Sequence, residues 1–165
     1  MGELDLLKKL HDDLIRFSAM LNFDKTHSWH RNMVALHGSL IELSGALLML
    51  LNGGRQIAVP SIFRTILETY VEFYNLLKDK TYGYHMEAQY IYQWLELLKE
   101  AANGTNPYLE SIAKLPDLSQ RISEMEKELT NLKVKGYSPL KVCERFERAG
   151  MLNEYASLYN MLSAD

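Results

Sequence analysis

Apolar residues recur along this chain at intervals of three and four and never in sustained alternation, which predicts helices throughout and no strand. Pro60 to Lys78 is the clearest case. At 100° per residue, Ile62, Phe63, Ile66, Leu67, Tyr70, Val71, Phe73, Tyr74 and Leu77 fall in one half of the wheel. Ser61, Arg64, Glu68, Glu72, Asn75 and Asp79 crowd the other half. Pro60 suits the first turn of this third helix. Upstream, Leu7, Leu10, Leu14, Phe17 and Leu21 mark a first helix ending near Asn22. Ser28 can cap a second, which runs to about Leu51 and stops at Gly53-Gly54. Its apolar sector holds Trp29, Met33, Leu36, Leu40, Leu43, Leu47 and Leu51. Small residues at Ala35, Gly38, Ser39, Gly45 and Ala46 form another sector that predicts close approach by a neighbouring helix.

After a break at Lys80 to Tyr82, a fourth helix puts Met86, Tyr90, Ile91, Trp94, Leu95, Leu97, Leu98 and Ala101 on one face. Asn103-Gly104-Thr105-Asn106-Pro107 is a loop. Beyond Pro116, Leu118, Ile122, Met125, Leu129 and Leu132 form a narrow 4-3-4-3 seam. That seam predicts a long helical arm near residues 117–135, paired with the first helix, whose seam is equally narrow. Ser138-Pro139 opens a short helix to about Ala149, and Gly150 closes it. The last run, Leu152, Tyr155, Tyr159 and Leu162, reaches Asp165 with no Gly, Asn or Pro and no basic residue in its final turn. A truncated amphipathic helix is the expectation there. The fold class expected is all-α: one domain over residues 1–165, a bundle of six or seven helices with its core in the second, third and fourth.

Composition narrows the function classes. A net charge of −3 provides no global basic field, so nonspecific duplex binding is disfavoured, although a local patch could still serve RNA. The single cysteine, Cys143, rules out an intramolecular disulfide and Cys-rich metal spacing, which fits a cytoplasmic protein. The first residues carry acids and periodic leucines in place of a signal peptide. Met33 to Leu51 is the stretch nearest to a membrane span, but His37 and Glu42 interrupt it, and a core helix without membrane association is expected.

Candidate chemistry is sparse. Arg64, Glu68 and Glu72, four residues apart, form one line, with Arg preceding Glu in the less favourable order for an ion pair. The line reads either as a solvated ionic face or as a polar site covered by another helix or a second subunit. Arg31 and His37 fit a loose R-x4–6-H pattern, yet a regular helix sets them about 120° apart. His37 reads better as a satisfied core histidine. His27 and His30 could be half a metal site but lack companions at helical spacing, so no metal and no cofactor is expected. Cys143 lies near Arg145 and Arg148 without a histidine partner and reads as structural. Tyr70, Tyr74, Tyr90 and Trp94 could line an inter-helical pocket for a small molecule or nucleotide.

Two segments together carry a family likeness. Arg64-Thr-Ile-Leu-Glu68 on an apolar helix, followed by Gly136-Tyr-Ser-Pro and Tyr155-x3-Tyr159-x2-Leu162-Ser163, resembles a bacterial all-helical family of unknown function. The resemblance runs from about residue 30 onward. In that family the last segment continues from Leu-Ser to a histidine, which this chain does not reach. The likeness implies Arg64, Glu68 and Ser163 as site positions, in a groove beside the C-terminal helix. The family is distantly similar to the HEPN ribonucleases, which implies RNA cleavage, defence or a toxin–antitoxin role. The leading expectation is a helical interaction module that forms a homodimer and can take a protein partner. The alternatives are a HEPN-like RNA-cleaving protein and a small-molecule or nucleotide sensor. Binding residues are expected at Arg64, Glu68, Glu72, Tyr159 and Ser163, and whether the protein is an enzyme stays open.

Overall fold

The computed structural model describes residues 2–163, so the abrupt ending expected at Ala164 and Asp165 lies outside it. Among the described residues there are eight α-helices and no strand. They are α1 (Glu3–Ser18), α2 (Ser28–Asn52), α3 (Val59–Lys78), α4 (Tyr82–Asn103), α5 (Glu110–Ala113), α6 (Leu118–Val134), α7 (Val142–Ala149) and α8 (Leu152–Glu154). The expected six or seven becomes eight because α5 is a single turn in the loop before Pro116, and α8 is a short turn that widens into a π-helical stretch, Tyr155–Tyr159. The chain divides into two compact units. One comprises the described residues up to Lys80 and from Lys141 onward; the other is Thr81–Leu140.

In the first unit α3 is covered from two sides, by α2 and by α7. Val71, Phe146, Ala149 and Tyr159 form the buried cluster, with Leu67, Tyr74 and Tyr155 packed against it. The Phe146 ring lies 5.4 Å from Tyr155 and 5.2 Å from Tyr159, and it is fully buried. Enclosing one such ring is worth about 2–3 kcal/mol. Because α7 docks on this flank, the buried side of α3 differs from the arc marked by the wheel. Asn75 is buried, its amide donating to the Arg145 carbonyl at 2.8 Å, while Leu77 and Tyr70 are exposed.

Helix α1 packs on α2 and has no buried residue. A Cβ at Gly45 would meet the His11 ring at 3.1 Å, so the small sector of α2 admits α1 there. Gly38 has nothing within 4 Å and serves no such approach. His11 Nδ1 lies 2.8 Å from Ser44 Oγ, and His37 Nε2 lies 3.0 Å from Ser18 Oγ and 3.2 Å from the Leu14 carbonyl. The carbonyl can only accept, so Nε2 of His37 carries the proton. By length and composition alone α2 could cross a membrane; it packs here against both α1 and α3.

The second unit is built on α4 and α6. Ala88, Ile91, Leu95, Leu129 and Leu132 form its buried cluster, flanked by Ile122, Met125 and Tyr137. Two expectations are corrected here. The arm spans Leu118–Val134 as its seam indicates, but it packs on α4, because the α1 seam faces α2 and Ala88 gives the α6 leucines room. Within this unit α4 shares its core with α6, where a core with the second and third helices is the sequence expectation. His85 Nδ1 lies 2.8 Å from the Ser138 carbonyl, and this tie holds the chain after α6 non-helical. Helix α7 therefore begins at Val142 instead of Ser138, with the Lys141 N–H donating to Glu144 Oε2 at 2.6 Å. Gly150, at φ 77°, ends it as expected.

Candidate functional site

Helical spacing sets Arg64, Glu68 and Glu72 one turn apart along α3. The C-terminal segment covers that line. The Tyr159 hydroxyl, from the π-helical stretch, donates to Glu68 Oε1 at 2.8 Å and accepts from Arg64 Nε at 3.1 Å. Arg64 Nε also lies 3.2 Å from Glu68 Oε1, and the guanidinium stands 5.0 Å from the centre of the Tyr159 ring. One turn on, Arg145 of α7 donates through Nη1 to Glu72 Oε1 at 2.7 Å. The Glu72 and Arg145 side chains are 16% and 21% exposed, against 29% and 43% for Glu68 and Arg64, so the line grows drier towards Asn75.

Electrostatics follow from this packing. Burial pushes the Tyr159 phenol above its ordinary pKa, the Glu68 carboxylate adds to the rise, and Arg64 opposes it. Arg64 is raised in turn, first by its hydrogen bond to Tyr159. Arg145 Nε is buried and lacks a hydrogen-bond partner among the described residues. Each acid on the line therefore has an arginine, and the cluster works as a clamp between α3 and the C-terminal segment. Arg64 and Glu68, 43% and 29% exposed, leave part of the clamp open to a ligand.

The structure thus brings Arg64, Glu68 and Tyr159 together and sets Glu72 beside them with Arg145. Ser163 is exposed and donates its hydroxyl to the Tyr159 carbonyl at 2.8 Å. Arg145 and Asn75 were missed as members of this cluster. Asn75 stood on the polar half of the wheel without a reason to be buried, and Arg145 follows Glu72 by 73 residues, beyond any local pattern.

The other candidates fall apart spatially. Arg31 is exposed and donates to the Lys25 carbonyl at 2.7 Å, whereas His37 is buried against α1. His30 Nδ1 accepts the Asp24 backbone N–H at 2.9 Å, which orders the loop before α2. The Asp24 carboxylate is held below its usual range by the Thr26 backbone N–H. Cys143 is half-buried on α7. Tyr70 and Tyr74 stack at 6.0 Å in the first unit, and Tyr90 and Trp94 pair at 6.2 Å in the second, so the four aromatics do not share one unit.

Each unit also holds a cavity. Helices α1, α2 and α3 frame a cleft of about 820 Å³, walled by residues such as Leu10, Leu14, Phe17, Leu40, Phe63 and Phe73. Its polar members include His37 and Ser44. In Thr81–Leu140 a cavity of about 410 Å³ is lined by Tyr90 and Trp94 of α4 and by Arg121, Glu124, Met125 and Glu128 of α6.

Residues 30–165 match DUF5677, a family of unknown function. The chain belongs to that family. The DUF5677 match takes in almost all of α2 and every later helix, so the Arg64 clamp and the Thr81–Leu140 cavity lie within it. Helix α1, which walls one side of the larger cleft, precedes the matched segment. No curated protein and no solved structure matches the chain at a significant level.

Proposed function

We propose that this DUF5677 protein is a helical interaction module that forms a homodimer through the cleft framed by α1, α2 and α3. The observation that carries this reading is the cleft itself. It is wide, almost wholly apolar in its walls, and closed on one side by a helix with no buried residue. Leu4, Leu6, Leu10, Ile15 and Phe17 of α1 are all exposed. Leu6, Leu10 and Phe17 share one side of that helix, and exposed apolar surface of this kind marks association sites. An amphipathic helix beside a helix-lined groove is self-complementary: α1 of one copy can lie against the groove of the other, and the reverse, about a two-fold axis.

The test is sedimentation or light scattering at tens of micromolar, with the double variant Leu10→Glu, Phe17→Glu beside the wild type. A wild-type dimer and a variant monomer with unchanged far-ultraviolet circular dichroism are expected. A monomeric wild type overturns the reading. The HEPN-like, RNA-cleaving or toxin–antitoxin alternative gains little from the geometry, because Arg31 and His37 bond to separate partners and the net charge is −3. A small apolar ligand in the same cleft is a second reading, favoured by a volume within the range of small-molecule sites.

A further inference from the structure

In Thr81–Leu140, Tyr90 and Trp94 stand one turn apart on α4, and Glu124 and Glu128 stand one turn apart on α6. All four line the same cavity of about 410 Å³. We infer that this cavity binds an organic cation, a quaternary ammonium or alkylated amine, between the Tyr90 and Trp94 faces and the Glu124 and Glu128 carboxylates. Cation attraction to an aromatic face is strongest for tryptophan and grows as the cation loses water, which a concave site promotes. Leu98 and Met125 supply an apolar floor for the alkyl part.

The charge balance sets the sign of the ligand. Arg121 also lines the cavity, but its Nε lies 2.7 Å from Asp117 Oδ2. That hydrogen bond holds the Asp117 carboxyl below its usual range, so Arg121 already has a counter-ion. Glu124 accepts from the neutral Gln120 amide at 2.8 Å, which leaves its charge in place. Lys99, the cation bridging α4 and α6, is held by Glu126, which does not line the cavity. Two carboxylates thus remain without a cationic partner among the described residues, beside two aromatic residues, Tyr90 and Trp94, that stay 59% and 40% exposed. An anion meets repulsion here, and a neutral ligand forgoes both attractions. This inference is independent of dimerisation, which concerns the other unit.

Tryptophan emission reads the site directly in the full chain. The protein has two tryptophans, Trp29 and Trp94, so a Trp29→Phe background leaves Trp94 as the sole reporter. The probes are choline, tetramethylammonium and 3,3-dimethylbutan-1-ol, a neutral isostere of choline, all at matched ionic strength. Saturable changes with both cations and none with the alcohol are expected. Glu124→Gln combined with Glu128→Gln should weaken choline at least about tenfold, equivalent to about 1.4 kcal/mol. Glu96→Gln, exposed on α4 and about 160° around the helix from Trp94, should leave it unchanged. Circular dichroism confirms folding of each variant. No saturable response to either cation, an equal response to the alcohol, or an undiminished response in the folded double variant overturns the inference.

Discussion

Tyr159 holds the α3 clamp together with one hydroxyl that both donates and accepts. Tyr159→Phe keeps the ring packing on Phe146 and removes both bonds, so a loss of about 1–2 kcal/mol is expected in urea unfolding. The raised phenol pKa gives a second readout. A pKa higher in the folded than in the unfolded state means that the stabilisation is complete below the ordinary value of about 10 and is lost as pH climbs through the folded value. Wild-type stability should therefore fall more steeply above about pH 10 than that of Tyr159→Phe. Parallel pH profiles would contradict a raised Tyr159 phenol pKa. Arg64→Ala should cost less than Tyr159→Phe, because Glu68 keeps its phenol donor and the arginine side chain is 43% exposed. The sequence carried the Arg64–Glu68 line through helical spacing and Tyr159 through the family likeness. It carried no sign of Arg145, since a pairing across 73 residues depends on how α7 docks and leaves no periodic trace.

At the scale of elements, α6 shows which part of a fold a local pattern contains. Its 4-3-4-3 seam specified the limits of the helix and its buried residues, because both follow from residues within one element. A narrow seam requires a partner without naming one, and α1 and α4 both met that requirement on paper. Leu129→Ala should cost about 2–4 kcal/mol, since Leu129 is buried against Ile91 and Leu95. Hydrogen exchange should show the loss in the amides of α4 and α6, and unchanged protection there would place Leu129 outside the packed core. Asn75 gives the opposite lesson. A wheel ranks side chains by hydrophobicity, yet Asn75 is buried because the Arg145 carbonyl satisfies it. Asn75→Leu should therefore destabilise by about 0.5–1.5 kcal/mol despite its greater hydrophobicity, because the carbonyl loses the Asn75 donor and keeps only its helical one. A stabilised variant in urea melts would contradict this account.

For the whole molecule, exposed apolar surface lies on α1 beside the cleft, while Arg64, Glu68 and Glu72 of α3 pair with Tyr159 and Arg145. An association driven by that surface should depend little on ionic strength, because screening acts on charges and leaves apolar contact intact. The dissociation constant of the proposed dimer should change by less than about threefold between low and high salt, as read by sedimentation. A dimer that dissociates on addition of salt would move the interface to charged surface elsewhere. All-helical architecture was legible because period-three-and-four patterns cover the chain. The division into two units was not, because it depends on which helices choose one another across sequence distance.

The clamp also imposes an order of events during synthesis. Glu68 emerges 91 residues before the tyrosine that closes over it. At ordinary elongation rates that gap lasts roughly 5–20 s. Thr81–Leu140 is contiguous and can close on itself within that interval, whereas Val71 and its neighbours on α3 stay uncovered until α7 and Tyr159 arrive. The nascent chain is thus exposed to aggregation through its oldest half for longest, and chaperone capture of ribosome-bound chains should be concentrated on α3.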